Sequence, residues 1–320
     1  MKLPELKIAD FVAKVPIIQG GMAIRISTGK LAGAVAAAGG IGVIGASGMS
    51  FDELREEIKI ARNLAKGGVI GINIMFAARE FWGIVRTAIQ EKIDLIFTGA
   101  GFSRDIFKAG LDTKTPIVPI VSSARLAQTS ERCGATAVVV EGKEAGGHLG
   151  TDRSIKDILP EVRKVVSLPV VAAGGISCGQ DIVDLLKMGA NGVQIATRFV
   201  LSEECNAAPS YKKRYQEARE EDIVVISSPV GLPGRAIKTA FVEKLLKKEA
   251  PKPQGCDFCL KNCSLVYCII QALINSQKGD IDNGVVFSGQ NVWKIKDRSI
   301  KPAAEIIKEL VTEAEEVYQP

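Results

Sequence analysis

The sequence is poor in histidine, in long apolar runs and in blocks of one charge. His148 is the only histidine among 320 residues. No apolar run reaches the roughly 18 residues that a membrane helix needs. Residues 1–14 mix charges with prolines and lack an apolar core of signal-peptide length. We therefore expect a cytoplasmic protein with no membrane association.

The charge pattern also argues against a nucleic-acid partner. The formal net charge is +5, and charged residues make up 24% of a chain that is 47% hydrophobic. The basic run at 212–214 is followed by Glu217, Glu220 and Glu221, which is typical of a solvated helix face rather than a nucleic-acid stripe. We expect a globular protein that acts on small molecules and binds no nucleic acid.

The seven cysteines do not suggest a disulfide framework, because their number is odd and no secretory signal precedes them. Four of them follow the spacing C-x2-C-x3-C-x4-C: Cys256, Cys259, Cys263 and Cys268. Four thiolates within thirteen residues could close on one zinc ion or one iron–sulfur cluster. Reduced structural thiols without metal are the alternative. The other three cysteines stand alone and are expected to be inert.

Eight short apolar runs alternate with helical patterns over the first 200 residues. The runs lie at 15–19, 41–45, 68–75, 94–98, 116–121, 135–141, 169–173 and 192–196. Strands that are apolar throughout belong in a parallel sheet buried on both faces. Eight such units predict an α/β fold, a closed (β/α)8 TIM barrel. An open doubly wound sheet is the alternative.

The alternation stops at Ser202, which sets the predicted domain boundaries. Residues 1–202 are expected to form the barrel. Residues 203–299 would form a smaller, mostly helical domain on the substrate side, with the cysteine cluster in it. Residues 300–320 read as a final helix that packs back on the barrel.

In a barrel, functional loops follow the carboxyl ends of the strands. This rule brings polar residues at the ends of the first, third and sixth strands to one rim: Gln19, Asn73 and Glu141. The glycines after the seventh strand and Ala196-Thr197 after the eighth suit a phosphate cradle. Two ordinary tight turns are the alternative. The glycines at 40–45 do not predict a dinucleotide fingerprint, because they run through a strand instead of opening a helix.

His148 lies among glycines just after the sixth strand. An imidazole titrates near pH 6.5 and is the usual proton-transfer side chain at neutral pH. A lone histidine can also be a satisfied polar contact. Its place on the functional rim favours a catalytic or substrate-binding role.

Several strings of the sequence resemble one family of flavoenzymes. They are PIIQGGMA at 16–23, GINIM at 71–75, EGKEAGGHLG at 141–150, PVVAAGGI at 169–176 and QIATRF at 194–199. The chain is similar over residues 15 to about 245 to the FMN-dependent barrels that include nitronate monooxygenase (2-nitropropane dioxygenase) and the flavin-type enoyl-acyl-carrier-protein reductase. The resemblance implies an FMN site, with His148 as the active-site histidine. The implied FMN contacts are Gln19, Gly20, Gly21, Met22, Asn73, Glu141, Gly146, Gly174, Gly175, Gln194, Ile195, Ala196 and Thr197.

The resemblance further implies an oxidoreductase that acts by hydride or electron transfer through the flavin N5. The substrate would be a nitronate oxidised with oxygen, or an enoyl thioester reduced with NAD(P)H. The cysteine cluster leaves room for a third reading, an FMN plus iron–sulfur oxidoreductase on another substrate. A different class, a flavin-free barrel that binds a phosphorylated metabolite, would have little use for the glycine-rich histidine loop. The sequence leaves the oligomeric state open, a homodimer included.

Overall fold

A closed barrel of eight parallel strands forms the centre of the molecule. The computed structural model describes residues 1–319. The strands of the chain are β1 Leu6–Ile8, β2 Phe11–Ala13, β3 Ile17–Gln19, β4 Ile41–Gly45, β5 Ile70–Met75, β6 Leu95–Gly99, β7 Ile117–Val121, β8 Val138–Glu141, β9 Gly147–His148, β10 Val170–Ala173, β11 Gly192–Ile195, β12 Ile223–Ser227, β13 Pro233–Ile237 and β14 Val286–Phe287. The barrel order is β3-β4-β5-β6-β7-β8-β10-β11, and β11 closes on β3. Each of the eight predicted barrel strands coincides with one of these, so the TIM barrel is confirmed.

Helices cover the outside of the barrel and build much of the C-terminal region. They are α1 Gly29–Ala37, α2 Phe51–Leu64, α3 Phe81–Gln90, α4 Asp105–Thr113, α5 Ala124–Cys133, α6 Ile155–Arg163, α7 Gly179–Lys187, α8 Pro209–Glu217, α9 Ala240–Leu246, α10 Ile269–Lys278 and α11 Ala303–Val317. No helix in the described residues is both long and apolar enough to cross a membrane.

Helix α2 shows how local sequence signals fix an element of the barrel. Ser50 accepts a hydrogen bond from the Glu53 backbone N–H, and the Glu53 side chain accepts one from the Ser50 N–H. This reciprocal capping box satisfies donors that the first helical turn leaves free. Leu54, Ile58 and Ala61 are buried against the barrel, as the helical spacing predicts.

A short hairpin closes the barrel end opposite the functional rim. Strands β1 and β2 pair antiparallel, and Leu6, Ile8 and Ala13 join the apolar filling of the barrel interior. A Cβ at Gly192 would lie 2.9 Å from the Leu6 side chain, so the hairpin and the barrel wall are in close contact. The sequence analysis did not predict this hairpin, because three-residue strands carry too little periodicity.

The region at 203–299 contains a small sheet that the prediction of a mostly helical domain omitted. Strand β13 pairs antiparallel with β12, β14 and β9. Two of these strands have only two residues, and β9 belongs to the histidine loop of the barrel. We call residues 203–299 the cap. Long-range pairing of such short segments leaves no pattern that the sequence could reveal.

Helix α11 returns to the barrel and packs against α1 and α7. The Gly179 N–H at the start of α7 donates to Glu313 at 2.8 Å, and the Leu3 N–H donates to Glu315 at 3.1 Å. Helix α11 thereby ties the N-terminal segment to the outer helices.

Candidate active site

A cavity opens at the carboxyl ends of the barrel strands, and the cap closes one side of it. We call it the rim cavity. Ten of the residues proposed from the sequence line it: Gly20, Gly21, Met22, Asn73, Glu141, Gly146, His148, Gln194, Ala196 and Thr197. The barrel rule therefore brings residues from four separate segments of the chain to one site, at 20–22, 73, 141–148 and 194–197.

A smaller recess continues from the rim cavity, and seven of its thirteen lining residues are glycine or alanine. Gly174, Gly175 and Ile195 line this recess, and it shares Ala196 and Thr197 with the rim cavity. Gly174 and Gly175 have φ angles of 105° and 79°, a conformation that side chains rarely adopt. The cap contributes the Gly289 N–H, which donates to the Thr197 hydroxyl at 3.0 Å. The recess has the backbone-rich character of a phosphate cradle.

Glycine is required where the floor of the rim cavity meets β5. A Cβ on Gly21 would lie 2.5 Å from the Asn73 Cβ and 3.1 Å from the Val43 side chain. A larger residue would therefore displace Asn73, whose amide faces the cavity. The close approach keeps a polar side chain at the cavity wall and leaves the space above Gly21 free for a flat ligand.

Gln19 is the one proposed cofactor residue that lines neither the rim cavity nor the recess. It is fully buried. Its amide oxygen accepts from the Val43 N–H at 3.1 Å, and its Nε2 donates to the Gly20 carbonyl. Gln19 thus fixes the backbone of the following glycine loop and positions it under the cavity.

Glu141, at the end of β8, lines both the rim cavity and the recess. Burial raises the pKa of its carboxyl to about 8, because desolvation disfavours the carboxylate. At neutral pH the group is a protonated acid in the free protein. It can then both donate and accept hydrogen bonds to a ligand.

His148 is held by the cap rather than by the barrel. Its segment β9 adds to the edge of β13, with His148 opposite Gly234. The imidazole Nε2 lies 2.8 Å from the Ser228 hydroxyl, and the Phe287 ring packs edge-on at 5.1 Å. Burial lowers the pKa of His148 to about 4, so the imidazole is neutral at physiological pH.

Arg235 of the cap forms hydrogen bonds to the histidine loop. Its guanidinium donates to the Lys143 carbonyl at 2.6 Å and to the Ala145 carbonyl at 3.1 Å. The Leu149 N–H donates to the Pro233 carbonyl at 2.8 Å. These bonds flank His148 on both sides of the loop and fix the direction of its ring.

A second cavity of about 440 Å³ adjoins the rim cavity at His148. We call it the side cavity. It shares Ala23, Ser47, Met75, His148 and Leu273 with the rim cavity. Ten of its sixteen other lining residues are apolar: Ile24, Met49, Ile74, Ala78, Ile84, Val230, Leu260, Ile269, Ile270 and Ile274. The charged residues Arg25, Glu80 and Asp257 also line it. An apolar group bound there would lie next to the imidazole.

Several site residues escaped the sequence analysis, and most come from the cap. Ser228 bonds His148, Phe287 packs on it, and Tyr211 and Tyr215 line the rim cavity as a stacked pair with ring centroids 5.7 Å apart. The Tyr215 hydroxyl donates to the Phe287 carbonyl. Ser228 and Phe287 lie next to or in the cap sheet, which forms from distant segments, and the two tyrosines lie on α8. No local signal marks any of the four as a site residue.

The four clustered cysteines lie in one irregular loop beside the side cavity, and Cys259 lines it. All four are free thiols. Burial raises the pKa of Cys259, and the neighbouring thiols Cys268, Cys263 and Cys256 add to that effect. Within residues 1–319, no three His, Cys, Asp or Glu side chains are gathered closely enough to hold a metal as they stand.

The chain matches the family model for nitronate monooxygenase over residues 5–82 and 75–313. A probable nitronate monooxygenase of Staphylococcus aureus is 27% identical over 349 aligned positions, covering 95% of each chain. The solved structure of FabK from Thermotoga maritima has a TM-score of 0.85 at 33% identity, covering 94% of this chain and 93% of that one. Nitroalkane oxidase from Streptomyces ansochromogenes, at 23% identity and a TM-score of 0.80, shares the fold.

A parallel barrel with a cap-held histidine over a glycine-lined rim defines an oxidoreductase of the flavoprotein barrel class. The chain belongs to the nitronate monooxygenase family. Members of that family are FMN-dependent flavoproteins.

Proposed function

We propose that the rim cavity binds FMN and that the recess holds its phosphate. The recess is lined by Gly174 and Gly175, which have no side chains, and by Thr197, whose hydroxyl can bond an anion. Met22 and Gly21 provide a flat wall beside Asn73 for the ring system. Glu141 and Gln194 face the region between the two, where they can bond hydroxyl groups. FMN, when bound, supplies hydride transfer through its N5.

His148 is the residue that we assign to substrate chemistry. Because its imidazole is neutral and its Nε2 contacts the Ser228 hydroxyl, one ring nitrogen is committed to the cap. If the hydroxyl donates to Nε2, the Nδ1–H is free to donate to a substrate oxygen, and the opposite tautomer leaves Nδ1 as an acceptor. Only the Nδ1–H form can donate to a substrate carbonyl or nitro oxygen, and it does so without carrying charge.

The substrate class best supported is an enoyl thioester, reduced with NAD(P)H as the electron source. The observation that carries this proposal is the largely apolar side cavity of about 440 Å³ that opens at His148. An acyl chain would fill it while the thioester carbonyl meets the imidazole. The likeness to FabK, an FMN-dependent enoyl-acyl-carrier-protein reductase, points the same way.

Nitronate oxidation is the second candidate, because the family model and the curated relatives carry that name. A neutral histidine beside the cofactor cavity also suits contact with a nitro group. A small nitronate, however, would leave the side cavity unfilled. The burial of apolar surface there would then contribute nothing to substrate binding.

Substrate turnover distinguishes the two candidates. The FMN-loaded protein is mixed with crotonyl thioester and NAD(P)H, and separately with propyl-2-nitronate and oxygen. We expect rapid NAD(P)H oxidation with the thioester and little oxygen uptake with the nitronate. Affinity for acyl thioesters should rise with chain length until the side cavity is full. Turnover of the nitronate alone would refute the reductase proposal.

A further inference from the structure

The cysteine loop, residues 251–268, is the strongest feature that the FMN proposal does not use. It holds four of the seven cysteines of the chain within thirteen residues, all of them free. The loop has no helix or strand beyond an isolated bridge between Leu260 and Ala78. Packing does not explain all four cysteines, because the side chains of Cys256 and Cys263 are exposed.

Two of the four thiols are fixed by the surrounding structure. The Cys259 carbonyl accepts from the Arg79 N–H at 3.0 Å, and the Lys261 N–H donates to the Ala77 carbonyl at 2.9 Å. Cys268 is the residue immediately before α10. A thiolate is favoured at the start of a helix, and both sulfurs are half-buried. The structure thus provides two anchored ligands.

The other two thiols lie on exposed arms of the same loop. The Phe258 N–H donates to the Cys256 sulfur at 3.4 Å, and hydrogen bonds of this kind tune the reduction potential of a bound cluster. Phe258 has a φ of 50° and Leu265 a φ of 56°, which turn the chain sharply between successive cysteines. Drawing Cys256 and Cys263 onto the anchored pair requires only a rearrangement of exposed, irregular backbone.

Two cationic side chains, Arg79 and Lys261, lie at the loop, which also carries the acidic Asp257. The Arg79 guanidinium lies 5.2 Å from the Phe258 ring centroid, and the Lys261 ammonium lies 3.5 Å from that of Phe76. These cations offset part of the negative charge that converging thiolates bring.

We propose that the cysteine loop binds one iron–sulfur cluster through its four cysteines. The gaps of two, three and four residues resemble the compact cysteine run of bacterial cluster proteins. Zinc sites instead use two ligand pairs separated by a dozen residues or more. The cluster would border the side cavity through Cys259 and Leu260, next to the substrate proposed above.

The test is the metal and sulfide content of the full-length protein, purified without oxygen and treated with ferrous iron, sulfide and a thiol reductant. We expect about four iron atoms and four acid-labile sulfides per chain, with an electron paramagnetic resonance signal after dithionite reduction. Cys263→Ser and Cys256→Ser should abolish both, and because the two residues are exposed the fold should survive. Cys133→Ser on α5 is the matched control and should keep the cluster.

Each contrary result is decisive. Stoichiometric zinc with no sulfide would overturn the cluster and assign a zinc site. Iron that stays bound in Cys263→Ser would be adventitious, and absence of both metals would return the thiols to a reduced, unligated state. FMN content measured on the same samples is independent of these outcomes, so a failure here leaves the FMN proposal standing.

Discussion

The barrel and the cap build the same site by different means. The barrel repeats one unit, and each unit delivers a loop to the same rim through neighbouring parallel pairing. The cap has no repeated structural unit, and its sheet is assembled from segments as distant in sequence as β9 and β14. The barrel thus supplies the shape of the FMN cavity, and the cap determines where the imidazole of His148 points. Variants in the two regions should therefore separate cofactor binding from turnover.

The largest effect is expected at the residue that joins the two regions. His148→Asn keeps a hydrogen-bonding side chain but removes the titrating ring. We expect FMN content to stay at one per chain while the turnover number falls by about 10²- to 10⁴-fold. The measurement is FMN absorbance together with steady-state turnover of crotonyl thioester. An unchanged rate would mean that His148 is only a structural contact.

A barrel variant should do the reverse and act on the cofactor. Gly21→Ala places a Cβ 2.5 Å from that of Asn73, and overpacking of this kind costs about 1–3 kcal/mol. FMN affinity should fall about tenfold or more, as measured by fluorescence titration of the apoprotein. Gly255→Ala is the matched control, because its Cβ would meet nothing within 4 Å. Equal FMN affinity in the two variants would contradict the proposed placement of the ring.

A cap variant without contact to FMN should lower turnover more gently. Ser228→Ala removes the hydroxyl that lies 2.8 Å from His148 Nε2. Loss of one such bond is worth about 0.5–1.5 kcal/mol, so the turnover number should fall about two- to tenfold at full FMN occupancy. Thr129→Ala, at a half-buried position on α5 remote from the site, controls for general loss of a hydroxyl. A loss of FMN in Ser228→Ala would show that the cap does not act through His148 alone.

The smallest effect on turnover is expected when the pH is lowered through the range in which a free histidine becomes protonated. Because burial lowers the pKa of His148 to about 4, its ring is already neutral throughout the range where a free histidine titrates. The pH profile of kcat/KM should show no inflection near pH 6.5, and the loss due to His148 protonation should begin only toward about pH 4. A clear acid limb centred near 6.5 would show that the ring is solvated in the working enzyme.

The same division explains what the sequence could reveal. All eight barrel strands were predictable, because each apolar run is a local signal. The helix between two strands can be marked locally as well, as by Ser50 and Glu53 at the start of α2. The rim residues followed from the barrel rule and the family resemblance. The contact of Ser228 with His148 was not predictable, because it depends on β9 joining a sheet some 80 residues further along the chain. Gln19 shows what the barrel rule does not predict. Its place at the end of a strand could not show that its amide bonds the backbone instead of lining the cavity.

The most direct test of the account is a crystal structure of the protein with FMN bound. We predict the phosphate in the recess between Gly175 and Thr197, and the ring system along Gly21 and Met22 with one face toward His148. FMN bound in another cleft, or with its ring system remote from His148, would contradict the assignment of the rim cavity as the active site.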